Sequence, residues 1–359
     1  MLDKRSLRLK ATPVQVIEWE DGVILKRGCT EAKLAGEGIL EAIQRIFEVT
    51  AGEGATREEM CALFSPPARK NVEDLIEHLV GRGFLDPKSD ADAEKPDSEA
   101  GDDIFYWQFG ASASSVREQL ATTKILVLGV NYISRQLVIG LQNSGFAAVQ
   151  VLDHPSLRNP RLFDGENKLR DGLWPSSLNS PEAWSDDVKS SSFDCLIAAS
   201  DFGTPQALLD LNQTCLDQGG SFLPIVLHNF MGQVGPLVIP KEGACFECLR
   251  SRQNANLDDP TIHRLIETVS VDRQDVQGFH PSMASILGEV SAFELTKFYS
   301  GVLGSLLVNG CIKVDLLAGK MTARKVLRIP RCPACSPLKV RPPTSASKSR
   351  LGDTARFTS

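Results

Sequence analysis

The sequence predicts an α/β protein: a mostly parallel sheet with a structural zinc site, preceded by a small α+β domain. Between residues 124 and 226, apolar strands alternate with amphipathic helices, which is typical of a parallel sheet. The first 86 residues show a hairpin pattern followed by helical spacing. Two pairs of cysteines with two residues between them follow in the last third of the chain.

The overall composition is that of a soluble globular protein. The chain has 359 residues, 42% of them hydrophobic, and a net charge of −6, so we expect two or three domains. No basic stripe dominates a segment, which disfavours nucleic acid as a general partner. The N-terminus lacks the apolar core of a signal peptide, and no apolar run is long enough to span a membrane. We therefore expect a cytoplasmic protein with no membrane partner.

The small domain is predicted over residues 1–86 and is winged-helix-like. Residues 14–19 alternate apolar and polar side chains, and Glu20-Asp-Gly22 forms a turn into a second strand. A third extended piece, Glu31-Ala-Lys-Leu34, is followed by three helices. Thr56 and Glu59 form a capping box at the start of the second helix.

This order of strands and helices resembles the PqqD-like peptide recognition element of enzymes that modify ribosomally made peptides. The resemblance implies that a leader peptide adds a strand to the edge of the third strand and lies against the third helix. It implies these peptide-binding residues: Glu31, Ala32, Lys33, Leu34, Arg69, Val72, Glu73, Ile76 and Leu79. A DNA-binding winged helix is the alternative, although Glu73, Asp74 and Glu77 on the third helix would repel phosphate.

Three polar segments are predicted to have little structure of their own. Residues 87–103 form an acidic linker that should let the small domain move. Residues 337–359 form a basic, disordered tail. The long loop at 164–192 is either disordered or a partner-docking segment, and the sequence does not decide between them.

The larger domain is predicted over residues 104–336. The strand Lys124–Gly129 leads into a helix, and the next strand ends at Asp153, where a Rossmann-like fold would hold a ribose. A further strand leads into Ser200 and Asp201. This pattern predicts a doubly wound, Rossmann-like sheet.

The cysteine pairs are Cys245-Phe-Glu-Cys248 and Cys332-Pro-Ala-Cys335. Two thiolates in such a spacing reach one ion, and two pairs complete a tetrahedral four-sulfur zinc site. A redox dithiol or coincidence is the alternative, but a redox motif needs only one pair. Four protein ligands leave no open position, so the zinc is expected to hold the fold without taking part in chemistry.

The succession of these pieces, with Gly232-Gln-Val-Gly235 before the first cysteine pair, resembles the ThiF/MoeB fold of ubiquitin-activating-type adenylyltransferases. The resemblance implies adenylation of a C-terminal carboxylate with ATP and magnesium, by a dimer. The loop Gly129-Val-Asn-Tyr-Ile-Ser134 has a single glycine, however, and Tyr132 and Ile133 are expected to fill the volume of a triphosphate. We therefore predict a degenerate nucleotide site at Gly129, Asp153 and Asp201, and expect neither ATP nor magnesium.

Together the two resemblances predict a partner subunit more than an enzyme. The chain resembles the leader-binding partner protein (Ocin-ThiF-like, a cyclodehydratase partner) of thiazole/oxazole-modified peptide and bacteriocin pathways. The resemblance implies a non-catalytic scaffold that binds the precursor leader and presents it to a YcaO-type ATP-dependent cyclodehydratase, as a homodimer. Two alternatives remain open. One is an ATP-dependent adenylyltransferase acting on a peptide or carrier-protein carboxylate, and the other is a zinc-containing winged-helix DNA-binding regulator.

Overall fold

The computed structural model describes residues 7–87, 101–175, 178, 180–184, 193–204, 206–272 and 278–338. The chain divides into two compact units, Met1–Ala113 and Ser114–Ser359. Most of the predicted acidic linker, much of the 164–192 loop and almost all of the basic tail lie outside the described residues. In the described part of the chain, no helix is both long and apolar enough to cross a bilayer.

The first unit combines two small sheets with helices. Its strands are β1 (Leu9–Ala11), β2 (Gln15–Trp19), β3 (Gly22–Arg27), β4 (Thr30–Ala35) and β5 (Leu85–Pro87). Its helices are α1 (Ile39–Thr50), α2 (Arg57–Ala62), α3 (Arg69–Gly81) and α4 (Gly101–Trp107). Thr56 and Glu59 form the predicted capping box at the start of α2. The predicted hairpin, third strand and three helices are therefore all present.

The strand order β2-β3-β4 leaves β4 at an edge of its sheet in the described structure. The middle strand β3 buries Val23 and Leu25, which lie opposite Leu34 and Ala32 of β4. These side chains face a core built with α1 and α3. Because side chains alternate along a strand, Glu31 and Lys33 of β4 point to the other face and are exposed.

Helix α4 belongs to this first unit, although the sequence predicted that a second domain begins at residue 104. The indole Nε1 of Trp107 donates to the Gly83 carbonyl at 3.3 Å. The Arg27 guanidinium lies over the same ring, 4.9 Å from its centroid. The Gln108 side chain accepts from the Cys29 amide at 3.1 Å. These contacts of Trp107 and Gln108 agree with the division of the chain, which places residues 101–113 in the first unit.

The second unit is built on one eight-stranded sheet with the order β13-β12-β11-β10-β9-β6-β7-β8. Strands β8, β7, β6, β9 and β10 run parallel, and β11, β12 and β13 extend the sheet antiparallel. The strands are β6 (Lys124–Leu128), β7 (Ala148–Asp153), β8 (Glu182–Ala183), β9 (Cys195–Ser200), β10 (Ser221–His228), β11 (Met231–Val234), β12 (Gly310–Asp315) and β13 (Lys320–Lys325). The helices are α5 (Ala113–Ala121), α6 (Tyr132–Ser144), α7 (Gln206–Gln218), α8 (Phe246–Asn254), α9 (Pro260–Asp272) and α10 (Pro281–Ser300). The predicted mostly parallel α/β sheet is confirmed.

Helices α6 and α10 pack closely because both carry a glycine where they meet. A Cβ at Gly288 would lie 2.8 Å from the Leu137 amide nitrogen and 2.9 Å from the Ile133 carbonyl oxygen. A Cβ at Gly140 would lie 2.8 Å from the Ala292 Cβ. Since backbone atoms cannot move aside cheaply, this contact fixes the position of α6, whose first turn faces the carboxyl edge of the sheet.

Replacing Gly288 by alanine should therefore destabilise the second unit. The overpacked methyl group should lower the free energy of unfolding by about 1–3 kcal/mol, measured by urea denaturation. Gly81→Ala is the matched control, because a Cβ at this helical glycine meets nothing within 4 Å. Equal stability of the two variants would contradict the close helix contact.

Candidate functional site

The four predicted cysteine ligands converge on one point in the second unit. Their Sγ atoms all lie within 4.8 Å of one another. The Cys245–Cys248 separation is 3.8 Å, and Cys245–Cys332 and Cys248–Cys335 are each 3.6 Å. A tetrahedral ion with bonds of about 2.3 Å to sulfur separates its ligands by about 3.8 Å. The cluster is therefore positioned to bind a metal ion and is compatible with zinc.

The surroundings of Cys248 favour its thiolate form. Cys245 precedes α8 and Cys248 lies in its first turn, where the helix dipole favours negative charge. Hydrogen bonds from Cys245, Cys332 and the Ile329 amide lower the pKa of Cys248. The surrounding core is apolar and includes Phe246 and Val326. Such a site joins α8 to the turn after β13 and leaves the metal no open position.

A second site lies at the carboxyl edge of the parallel strands, between β6 and β9, where the strand order reverses. Ligands of doubly wound sheets bind at this switch point. Asp201 follows β9 directly and is fully buried. Its Oδ2 accepts from the Tyr132 amide at 3.1 Å and from Asn159 Nδ2 at 2.8 Å. Its Oδ1 has no partner within the described structure.

The first turn of α6 is closed by a second buried side chain, Asn131. Its Oδ1 accepts from the amides of Ile133 and Ser134 at 3.1 and 3.0 Å. Its Nδ2 donates to the carbonyls of Leu157 and Ala199. Together with Asp201, Asn131 satisfies the amide donors that would otherwise face an anion at this helix end.

This arrangement corrects part of the sequence prediction for the loop. Ile133 is fully buried in the helix packing, and the Tyr132 ring lies edge-on to Phe279 with centroids 5.9 Å apart. The loop is closed by Asn131 and Asp201 rather than by the bulk of Tyr132 and Ile133. Gly129 has φ +101, and a Cβ there would lie 2.8 Å from the Ala199 carbonyl, so only glycine fits.

Asp153, the predicted ribose ligand, is held by an arginine. Arg158 donates to both carboxylate oxygens of Asp153 through Nε and Nη2, and its guanidinium lies 4.3 Å from the centroid of the Phe163 ring. In this structure Arg158 is engaged with Asp153, while Arg161 acts electrostatically on Asp201.

The predicted peptide-binding residues separate into exposed and buried groups. Glu31, Lys33, Arg69 and Glu73 are exposed, and Leu34 is half-buried. Four others are buried in the core of the first unit: Ala32, Val72, Ile76 and Leu79. The apolar face of α3 packs inward, so these side chains support the fold and are not themselves available to a ligand.

Two buried asparagines at the switch point, Asn131 and Asn159, were not predicted from the sequence as site residues. Asn131 precedes a helix and is followed three residues later by Ser134, and both halves of a capping box are formed. That spacing was a readable signal. Asn159 lies far from Asp201 in the sequence, and no local pattern indicates their contact.

A comparison with family models matches the ThiF family to residues 175–335. These residues form a ThiF-family domain. It contains Asp201 and all four cysteines. A search of curated proteins by sequence found no match.

Several solved structures share the fold of this chain over most of its length. Microcin C7 biosynthetic enzyme MccB in complex with N-formylated MccA matches with a TM-score of 0.65, at 16% identity, over 92% of this chain and 100% of that one. E. coli MccB with ATP matches with a TM-score of 0.62, at 16% identity, over 92% and 99%. A heterocyclase with substrate and cofactor matches with a TM-score of 0.59, at 16% identity, over 92% of this chain and 40% of that one. At identities this low, the matches show a shared fold alone.

The comparison corrects the expectation that ATP and magnesium have no place here. A protein with the same fold over nearly its whole length has been solved with ATP. The fold is therefore compatible with a nucleotide, and the expectation that ATP is absent, which was based on the 129–134 loop, is not upheld.

Replacing one cluster cysteine should remove the metal and loosen the ThiF-family domain. For Cys332→Ser we expect bound zinc, measured by elemental analysis, to fall from about one per chain to a minor fraction. The melting temperature should fall with it. Cys215→Ser is the matched control, because Cys215 is buried in the same core cluster but lies outside the four. Full zinc content in Cys332→Ser would contradict the four-sulfur site.

Asp201 should make stability depend on pH. Burial raises its pKa from 3.8 to about 6, so the folded protein holds this proton more tightly than the unfolded chain does. Stability is therefore highest at low pH and falls as the pH rises through about 6. Relative to wild type, Asp201→Asn should gain about 1 kcal/mol between pH 5 and pH 8, measured by urea denaturation. Asp194→Asn, which removes a carboxylate that accepts from the Lys124 amide, should show no such gain.

Proposed function

We propose that the protein binds the leader segment of a ribosomally made precursor peptide and presents that peptide for modification. The observation that carries the proposal is the free edge of β4 in the first unit. An extended peptide can add to such an edge through backbone hydrogen bonds, and side-chain pockets then select the sequence. The matched structures with MccA and with a heterocyclase substrate are of proteins that bind substrates, which supports the proposal.

The chemistry of the β4 edge suits a peptide with alternating character. Leu34 offers apolar surface, whereas Glu31 and Lys33 offer charges of both signs on the opposite face. Arg69 and Glu73 of α3 are also exposed. The exposed acids Glu73, Asp74 and Glu77 disfavour a phosphate backbone on this helix, so a peptide fits better than DNA.

The partner enzyme in this proposal is a YcaO-type cyclodehydratase that forms thiazolines and oxazolines. The matched region makes up 40% of the heterocyclase chain. We further propose a homodimer with zinc in the cysteine cluster. Ile286 and Phe293 lie two turns apart on α10 and are 41% and 48% exposed, an apolar stripe suited to a subunit contact.

The edge-addition model is tested with Lys33→Pro. Thr30 closes the β3–β4 hairpin opposite Arg27, so alternate residues of β4, including Lys33, direct their backbone N–H groups to the outer edge. Proline at this position removes an edge donor, so the affinity for the leader should fall at least about 10-fold, or about 1.4 kcal/mol. The probe is a fluorescent leader from the short Cys/Ser/Thr-rich precursor that the proposal expects beside the gene, and its binding is measured by anisotropy. Zinc content should stay unchanged.

Val16→Pro is the matched control, because its N–H faces the outer edge of the opposite edge strand, β2. If leader affinity survives Lys33→Pro, or falls equally in both variants, addition at β4 is wrong. Absence of a precursor and a YcaO-like gene from the neighbourhood would count against the pathway itself.

Adenylation of a peptide or carrier-protein carboxylate is the second candidate, favoured by the ATP-bound match and by Asp201 at the switch point. It predicts ATP–pyrophosphate exchange that depends on the peptide and is reduced at least about 100-fold by Asp201→Asn. The presenting role predicts leader binding without such exchange. Measuring both activities on one preparation separates the two functions.

A further inference from the structure

The outermost antiparallel strand of the second unit, β13, has a free edge. It stands at one end of the strand order of the eight-stranded sheet in the described structure. The Val326 amide, directly after β13, donates to the Asn309 carbonyl at 2.9 Å and so faces β12. Backbone groups alternate in direction along a strand, and β12 and β13 pair without a break. Met321, Ala323 and Lys325 therefore direct their N–H and C=O groups outward, where an extended chain can pair with them.

The surface around this edge is strongly basic. Residues 310–331 include six basic residues and one acidic residue, although the whole chain has a net charge of −6. The acid, Asp315, accepts from the Ala318 amide at 3.0 Å in the turn before β13. The six basic side chains are all exposed: Lys313, Lys320, Arg324, Lys325, Arg328 and Arg331. None of them forms an ion pair with another described residue, so this charge is available to a partner of opposite sign.

The two faces of β13 differ in chemistry. Side chains alternate along a strand, so Lys320 and Arg324 project to one face, with Thr322 between them. Met321 and Ala323 project to the other face, where Met321 is 53% exposed. An added strand is therefore complementary when its side chains are acidic on the first face and apolar on the second. A segment in which acidic and apolar residues alternate meets both requirements.

Basic residues on an edge strand can also serve only to prevent self-association. Such a role requires no exposed apolar side chains, yet Leu317, Met321 and Leu327 are each more than half exposed in and around β13. Exposed apolar surface beside uncompensated charge is typical of an interaction site. A second copy of β13 is a poor occupant, because antiparallel pairing of two such strands places cations opposite one another.

We propose that the β13 edge is a docking site for an acidic, extended segment of a partner protein, which adds to the eight-stranded sheet as a further strand. The outward amides of β13 supply backbone hydrogen bonds, and Lys320 and Arg324 attract the carboxylates of the added segment. This edge lies in the ThiF-family domain and is distinct from the β4 edge of the first unit. The docking site goes beyond the proposed leader binding and does not depend on it.

The contribution of charge is tested with a short fluorescent peptide in which glutamate alternates with valine. Its binding to the full chain is measured by anisotropy and should weaken as the ionic strength rises. Lys320→Glu/Arg324→Glu should lower the affinity at least about 10-fold. Lys70→Glu/Arg82→Glu is the matched control, because it reverses an exposed lysine and an exposed arginine of the first unit, and it should bind the peptide like wild type.

The contribution of strand addition is tested by methylating backbone amides of the peptide. Only alternate amides of an added strand face β13. Methylation of one alternate set should therefore lower the affinity at least about 10-fold, whereas methylation of the other set should change it little. Ala323→Pro removes an outward donor from β13 and should weaken binding similarly. If that variant does not fold, the two methylated peptides still decide, because they are used with the wild-type chain.

Absence of binding by wild type, or equal binding of the two methylated peptides, would overturn the proposal. Equal binding of a peptide with lysine in place of glutamate would overturn it as well. Tighter binding of an oligonucleotide of the same charge would assign this surface to nucleic acid instead. Lys33→Pro should leave binding of the glutamate–valine peptide intact, so failure of leader binding at β4 and failure of docking at β13 are separate results.

Discussion

The convergence of four sulfur atoms is the constraint on which the ThiF-family domain depends. Cys245 and Cys248 fix the start of α8, and Cys332 and Cys335 fix the turn that follows β13. Strands β12 and β13 lie between these two points in the sequence. A closed loop of this length is costly to form without a link. Metal binding by the cluster would therefore be coupled to folding of β12 and β13.

Strands and helices of the second unit were predictable because their signals are local. The apolar run at Lys124–Leu128 indicates a buried strand. The spacing of the cysteines indicates a metal site. Each signal is contained within a few residues of the sequence. The contact of Asn159 with Asp201 was not predictable, since it joins two strand ends that only the sheet topology brings together.

Two errors at the sites share one physical origin. The resemblance transferred Val72, Ile76 and Leu79 of α3 to a peptide surface, whereas their spacing places them on the one apolar face, which packs inward. Bulky residues at 132 and 133 were likewise taken to occupy a ligand's volume, whereas helix geometry points Ile133 into the core. Residue type alone does not show which way a side chain points. The position of each residue in the helical repeat also has to be considered.

The contact of Trp107 with the end of α3 bears on where the first unit ends. Its indole covers Phe84, with ring centroids 6.3 Å apart, and Phe84 is fully buried. A fragment cut after β5 would strip that cover, expose aromatic surface to water and release the Gly83 carbonyl from its indole donor. A truncated chain meant to work as an independent peptide binder therefore has to continue through residue 113.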